Sequence, residues 1–554
     1  MTMPDVRAEI AFVRDGAGWP LWRDVSADVE WWQGVRISRR RSHELDEVQP
    51  GTMSLTLTNT DGRYTAGNTA SPYYPNVRIN RPIRIRARWP SSINRLLKGQ
   101  AEATNAALFS TNNGTLATSA TAPAGQTSSI RWSSASWASG DIMRLGVNST
   151  ATPTEEALEV TPGATYAVSC QARRETNAVS AAIRVRWFTA DGAFISDVFG
   201  STVTLTTSFQ PVTFVGAAPA NAVFARVFLT TQSAATSAAI LSSAWQFEQA
   251  ASPSSWVSPG IEYMRFVGYV DRWPHSWDNG VLGRVSITAT DRQKLFSRQL
   301  LGSTPLTDNQ LSGARAAALL TAAGVTTMTV DPGVSTLGLS GNEATQNIQQ
   351  LLRTTATSEA GLFFVGRDGV PVFQDRSKRQ RPSTVVLTVN ADQCGPDLHF
   401  VVDDALLIND ATVLADNGSS ATATDSASIT EYGRYSRRMD TVLVPGEITD
   451  RAAYLLFRYK EPAPRAGQIS IEARSQPALW PALLGSEIGQ RIQVTNLPSN
   501  APSGTLDLWI EGVQDFITDE TWTFTFDPSP ASTTVAFILD DPTYGLLDFN
   551  VLGW

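Results

Sequence analysis

Three histidines, two cysteines and a few adjacent acids are the side chains of this 554-residue chain that could do catalytic work, and their spacing assembles no site. His43, His275 and His399 stand far apart. None falls in an H-x-x-x-H pair or beside a cysteine at zinc-ligand spacing. Cys170 and Cys394 have no neighbouring histidine to draw the proton from a thiol, so they read as small buried hydrophobes. A phosphate-cradling G-x-x-x-x-G-K-[ST] loop, a G-x-G-x-x-G turn and a G-x-S-x-G elbow are all missing from the sequence. Asp403-Asp404 and Asp540-Asp541 would serve glycosidic chemistry only in a suitable geometry, and adjacent acids more often mark surface turns. Asp416-Asn417-Gly418 lacks the further acids of a calcium loop. The expectation is no catalytic residue, no metal, no cofactor and no enzymatic activity.

Binding chemistry is better represented. Between about Ser91 and Pro259 the chain is rich in Ala, Ser and Thr and nearly free of charge, yet it carries Trp132, Trp137, Trp187, Trp245 and Trp256. Indoles stack on the apolar C–H faces of sugar rings, while amides and hydroxyls satisfy the sugar hydroxyls, so the composition suits a neutral glycan. Trp187 and Trp245 lie in apolar runs and belong in a core. Trp132 and Trp137, in the serine-rich Ser128-Ser-Ile-Arg-Trp-Ser-Ser-Ala-Ser-Trp-Ala-Ser, are the candidate carbohydrate-binding residues. A second pattern is Ile83-Arg-Ile-Arg-Ala-Arg-Trp89, whose period of two places Arg84, Arg86 and Arg88 on one strand face. Such a face could grip an anion, but pairing with local carboxylates or water is the favoured reading.

The elements that would position these residues are mainly strands. At 554 residues the chain exceeds a single core, and ~100–200 residues per domain implies three to five domains. The balance of 44 basic against 52 acidic residues argues against a protein that works by neutralising phosphates. Only four of the basic residues are lysines, a bias read mainly as a GC-rich coding signature. No run approaches ~20 uninterrupted apolar residues, and the start MTMPDVRAEI has no signal-peptide pattern, so a soluble chain made in a reducing cytoplasm is expected. The pattern gives a mainly β fold with a small α/β part. Residues 1–95 plus 259–300 form a first β-barrel domain, interrupted at 96–258 by a β-sandwich of jelly-roll type. Residues 301–382 hold two helices and a hairpin turning at Asp368-Gly369, with Gly324 closing the first helix. Residues 383–535 form a second barrel with one helix over 449–460 capped by Thr449, and 536–554 is an apolar docking tail.

Several segments resemble minor tail proteins, or baseplate hub (tail-associated) proteins, of siphophages that infect actinobacteria. They are Arg36-Ile-Ser-Arg-Arg-Arg, Gln49-Pro-Gly-Thr-Met-Ser-Leu-Thr-Leu-Thr-Asn-Thr-Asp-Gly-Arg-Tyr64, Pro82-Ile-Arg-Ile-Arg-Ala-Arg-Trp89, Phe266-Val-Gly-Tyr-Val-Asp-Arg-Trp273 and the strand that ends at Asp291. The insert is similar to carbohydrate-binding-type jelly rolls, whose last strand reads like Trp245-Gln-Phe-Glu-Gln. The resemblance implies a structural virion protein of the tail tip, made in the host cytoplasm. It implies a homotrimer whose two hub-type barrels per chain match the sixfold tube to the threefold tip. It further implies a distal tail protein, a tape measure protein and other tail-tip proteins as partners, and a lumen that DNA crosses without specific binding. The insert would contact a host-envelope polysaccharide. The alternatives are a tail-associated cell-wall hydrolase and a glycan-binding surface protein outside any phage.

Overall fold

The computed structural model describes residues 3–14, 18, 20–146, 157–380, 383–396 and 398–531. The chain is mainly β, and it clusters into two units. Of the described residues, one holds those within 3–28 and 61–263; the other holds those within 29–60 and 264–531. The expected first domain is thus shared between them. The expected docking tail, 536–554, and the pair Asp540-Asp541 lie outside the described residues.

In the first unit, Asp5–Arg14 pairs antiparallel with Pro20–Asp24 on one side and Pro82–Trp89 on the other. The alternation in Pro82–Trp89 does what its period dictates: Ile83, Ile85 and Ala87 are fully buried. Its arginines meet carboxylates. Glu9 stands opposite Arg84 in register and accepts from Arg84 Nε at 2.5 Å and Arg86 Nη2 at 2.6 Å. Glu262 takes the other side of Arg86 and reaches Arg88 at 3.3 Å. The Asn-x-Asp-Gly-Arg segment is a turn here. Gly62 adopts φ +71°, Arg63 bonds Asp61 at 2.7 Å and Asp28 at 3.2 Å, and the Tyr64 hydroxyl donates to Asp28.

The chain then enters a sandwich of two antiparallel sheets. One runs Gln210–Ala217, Thr165–Arg174, Ala235–Glu248, Ser129–Trp137, Thr115–Ser119; the other runs Phe194–Phe199, Ser180–Phe188, Phe224–Thr231, Ile142–Leu145, Phe109–Thr111. Their inner faces share one core that includes Trp132, Tyr166, Trp187, Phe214 and Trp245. Entry and exit lie side by side. A β-carbon on Gly260 would stand 1.9 Å from the Pro90 carbonyl oxygen, so only glycine fits where the chain returns past its own departure.

In the second unit, Val35–Arg40 lies between Thr52–Thr58 and Leu506–Ile517, antiparallel to both. Strands assigned by sequence to two separate barrels therefore share one sheet. It continues through Leu282–Thr290 beside Thr52–Thr58, and through Arg491–Thr495 and Trp522–Pro530 on either side of Leu506–Ile517. The resembling segments have structural duties in it. Phe266 and Val270 are fully buried, and a β-carbon on Gly268 would stand 2.7 Å from the Thr290 carbonyl oxygen. Asp291 accepts from the Gly51 amide at 2.6 Å and the Gln293 amide at 2.8 Å, tying two chain segments together. A smaller core joins helices Ser312–Ala322 and Ile348–Glu359 to the hairpin Leu362–Val365/Pro371–Gln374 through Leu319, Leu352, Phe363 and Phe373. Gly324 (φ +74°) follows the first helix and Gly369 (φ +82°) turns the hairpin, as their spacing predicts.

The third long helix departs from expectation at its start. It spans Ile448–Tyr459 and begins after Glu447, with no side-chain cap from Thr449. Ile448, Ala452, Leu455 and Tyr459 are its buried stripe, so packing extends the helix one residue past the position that capping chemistry favours.

Candidate functional site

The two tryptophans expected to stack on sugar do not present a face to do so. Ser129–Trp137 is a strand of the sandwich, and its inward residues carry Trp132 into the core at 0% exposure. Trp137, at the strand's end, folds against it at 4.8 Å between ring centroids and is 2% exposed. Trp132 Nε1 donates to the Asn113 carbonyl at 2.8 Å. The serine-rich run does not expose them: Ser129 is itself fully buried, and Ser133, Ser134 and Ser136 lie in the same strand as the core residue Trp132. Trp187 and Trp245 are buried as their apolar runs dictate. Glu248, in the Gln-x-Glu closing strand, is itself buried and holds the Ser254 amide at 2.8 Å, a contact that closes the sandwich.

The outer face of the other sheet carries a different group of residues. In Ser180–Phe188 the inward side is Ile183, Val185 and Trp187, which sends Arg184 and Arg186 outward. In Phe224–Thr231 the same alternation sends Arg226, Phe228 and Thr230 outward. Register then lines them up. Phe199, Arg184, Phe228 and Arg144 form one row across four strands, and Asp197, Arg186 and Arg226 form the next. Phe228 sits at the centre, with the guanidinium carbons of Arg184, Arg186 and Arg226 at 4.5, 5.7 and 5.8 Å from its ring centroid. Arg186 also covers Phe194 at 5.1 Å, and Asp197 binds Arg186 through two bonds of 2.7 Å. Phe228 is buried under this layer, whereas Phe194 and Phe199 stand about half exposed at its rim. One end of the face is closed off: Phe188 and Phe224 pack against Leu21, and Glu159 binds Arg23 at 2.9 Å.

The electrostatics of this face are lopsided. Among the described residues, Arg144, Arg184 and Arg186 share it with a single carboxylate, Asp197. Burial holds the Arg144 guanidinium below its ordinary range, and Arg186 pushes it the same way. Burial also lowers Arg184; Asp197 opposes that, and Arg186 and Arg144 add to it. Arg186, by contrast, is raised by its bonds to Asp197. Arg144 Nη1, Arg184 Nε and Thr230 Oγ1 are buried with no hydrogen-bond partner. Sequence reasoning passed over this group. Its signal was present in Ala182-Ile-Arg-Val-Arg-Trp-Phe and Phe224-Ala-Arg-Val-Phe-Leu, two strands with arginine at alternate positions.

The side chains first considered for catalysis have other partners. His43 bonds Asp46 at 3.3 Å, His275 stacks on Trp277 with 6.3 Å between centroids, and the His399 ring lies against Gly467. Asp403 pairs with Arg465, and Asp404 accepts from the Tyr435 hydroxyl at 2.7 Å. Burial raises the Cys170 thiol and pushes Cys394 up to about 11, opposite to the shift a thiolate nucleophile needs. No group of three metal-ligating side chains occurs among the described residues. A cleft of about 80 Å³ in the second unit is rich in arginine, but Arg41 and Arg379 are held by Glu511, Arg376 by Glu359 and Arg458 by Glu44. No described helix is long and apolar enough to cross a membrane.

No family model matches the chain, and no curated protein matches its sequence. Among solved structures it is similar to the 43 kDa tail protein of prophage MuSo2 from Shewanella oneidensis, at 12% identity over 68% of this chain and 96% of that one, with a TM-score of 0.35. It is similar to the tail protein from Neisseria meningitidis MC58, at 13% identity over 50% and 82% of the two chains, with a TM-score of 0.37. It is also similar to the C-terminal family 22 carbohydrate-binding module of Clostridium thermocellum Xyn10B, at 11% identity over 28% and 93%, with a TM-score of 0.23.

Proposed function

We propose that this chain is a structural protein of a bacteriophage tail, placed at the tail tip, whose inserted sandwich contacts glycan on the host surface. The observation that supports the tail reading most directly is the use made of the segments that resemble minor tail proteins. Gly62 and Arg63 shape a turn, Gly268 admits a close strand crossing, and Asp291 ties down the Gly51 amide. Each is an architectural duty, and a protein of this class would need its scaffold kept while its surface diverged. The insertion supports the second half. A two-sheet body that leaves and re-enters at Pro90 and Gly260 adds a module without breaking the strand that carries it.

On this reading the chain assembles as a homotrimer between the distal tail protein above and the tip below, near the end of the tape measure protein. DNA passes through its lumen without specific binding, which a net charge of −8 accommodates. The chain has no catalytic role. The test is electron microscopy of the purified protein together with mass spectrometry of purified particles. Ring-shaped trimers and a fixed copy number at the tip are expected. A monomer in solution that is missing from particles would remove the reading, and a cleared zone on cell-wall zymograms would replace it with a hydrolase.

A further inference from the structure

Among the described residues, the outer face described above holds one arginine, Arg144, with no ion pair, and buried donors with no hydrogen-bond partner. We infer that it is a binding site for an anionic glycan, a polymer whose repeat carries a carboxylate or a phosphate; this rests on the sandwich being the glycan-binding module.

Three observations carry the inference. The first is charge. Arg144, Arg184 and Arg186 share a face with one described carboxylate, Asp197, which spends both oxygens on Arg186 and lies 3.7 Å from Arg184. Arginines packed for structure arrive with partners, as Arg84, Arg86 and Arg88 do with Glu9 and Glu262. Arg144 has no ion pair among the described residues; burial and then Arg186 disfavour its charge, so the folded protein holds it at an electrostatic disadvantage that an anion would relieve. The second is unused hydrogen bonding. Thr230 is 1% exposed and its hydroxyl is unpartnered, as are Arg144 Nη1 and Arg184 Nε, so donors stand ready on the same face. Guanidiniums are suited to carboxylate and phosphate oxygens because their planar fork donates two parallel bonds.

The third is layout. Arg184 and Arg144 flank Phe228 in one row, two strand spacings or about 10 Å apart. That separation is too wide for one compact ion to bridge and suits charges repeated along an extended chain. Phe194 and Phe199 at the rim offer exposed rings on which sugar C–H faces can rest between the charges. The neutral glycan read from the tryptophans is therefore replaced by a charged one read from the arginines.

The experiment measures binding of the purified full-length chain to four immobilised probes: polygalacturonate, poly(glycerol phosphate), neutral dextran and oligothymidylate. Tight, salt-sensitive binding to one or both anionic glycans is expected, with polygalacturonate and poly(glycerol phosphate) separating a carboxylate ligand from a phosphate one. Arg144→Gln and Phe199→Ala should each weaken that binding about tenfold or more. Arg131→Gln, whose residue pairs with Glu175 on the opposite sheet, should leave it unchanged. Melting adds an independent readout: Arg144→Gln should keep or raise Tm, since it removes repulsion and breaks no ion pair, whereas a packing role would lower it.

Dextran bound as well as the anionic glycans, with Arg144→Gln without effect, would overturn the anionic assignment while leaving the sandwich a glycan binder. Failure to bind any of the three glycans would overturn both. Stronger binding to oligothymidylate than to either anionic glycan would overturn the assignment in favour of nucleic acid. Loss of binding in Arg131→Gln but not in Phe199→Ala would place the site on the other sheet and overturn it too.

Discussion

At the scale of single residues, the interior of this protein is organised by paired charges rather than by apolar packing alone. Arg265 and Asp515 are both fully buried; Arg265 Nε and Nη2 bond the two carboxylate oxygens at 3.1 and 2.9 Å. Trp522 Nε1 donates to the same carboxylate at 3.0 Å, and the Leu484 carbonyl accepts from Arg265 Nη1 at 2.8 Å. A pair with its remaining donors and acceptors satisfied offsets the desolvation of both ions, but a lone survivor cannot. Arg265→Met should therefore destabilise the second unit by about 3–5 kcal/mol by leaving Asp515 buried and uncompensated. Arg265→Met with Asp515→Leu should recover much of that loss, because no ion then remains to desolvate. Chemical denaturation of the three proteins checks this, and a double variant less stable than the single one would contradict it.

At the scale of elements, the strand Pro82–Trp89 shows both what the sequence disclosed and where it stopped. Its period of two gave the strand, the buried face and the shared face of three arginines directly, because those are properties of neighbours in the chain. Their carboxylates were not legible: Glu9 lies before the strand by some seventy residues and Glu262 beyond the whole insert, and register alone brings them opposite. The same limit hid the candidate site. Arginine at alternate positions was visible in two strands, but its meaning depended on which strands become neighbours and on which side the core lies. Trp132 and Trp137 were misplaced for a related reason, since serine between them reads as solvent until the inward half of the strand is known. The arginine strand also sets a pH dependence. Arg84 and Arg86 overcome the burial of Glu9 and hold its carboxyl down to about 2, from an ordinary 4.5. A carboxyl lowered on folding adds stability above its unfolded value, and that stability disappears as pH falls through the folded one. The first unit should therefore keep this contribution, about 3 kcal/mol, above roughly pH 4.5 and lose it progressively toward pH 2. Glu9→Gln should lower Tm at neutral pH and flatten the acid limb. An acid limb as steep as the parent's would show that Glu9 is not its source.

At the scale of the whole molecule, the placement of the sandwich makes a prediction about modularity. The chain leaves for the insert at Pro90 and comes back at Gly260, and the two backbones are close enough that a β-carbon on Gly260 would sit 2.7 Å from the Trp89 carbonyl carbon. Ends this close can be rejoined by a very short link, and closing a short loop costs little beyond what the insert already closes. The strands Asp5–Arg14, Pro20–Asp24 and Pro82–Trp89 pair with each other and need no sandwich strand to complete those ladders. What they would lose is the cover on Leu21, which packs against Phe188 and Phe224, and Glu159, which binds Arg23 at 2.9 Å and accepts from the Asp24 amide at 2.7 Å. A chain in which Pro90 is joined to Gly260 through a glycine–serine bridge, with Leu21→Ser to remove the uncovered apolar side chain, should therefore remain folded. It should melt cooperatively and keep the oligomeric state of the parent while losing all glycan binding. Light scattering, melting curves and the glycan probes above measure these together. A shortened chain that folds but changes its oligomeric state would mean that the sandwich is part of the assembly rather than an appendage. One that does not fold would mean that the contact at Leu21 belongs to the core of the unit.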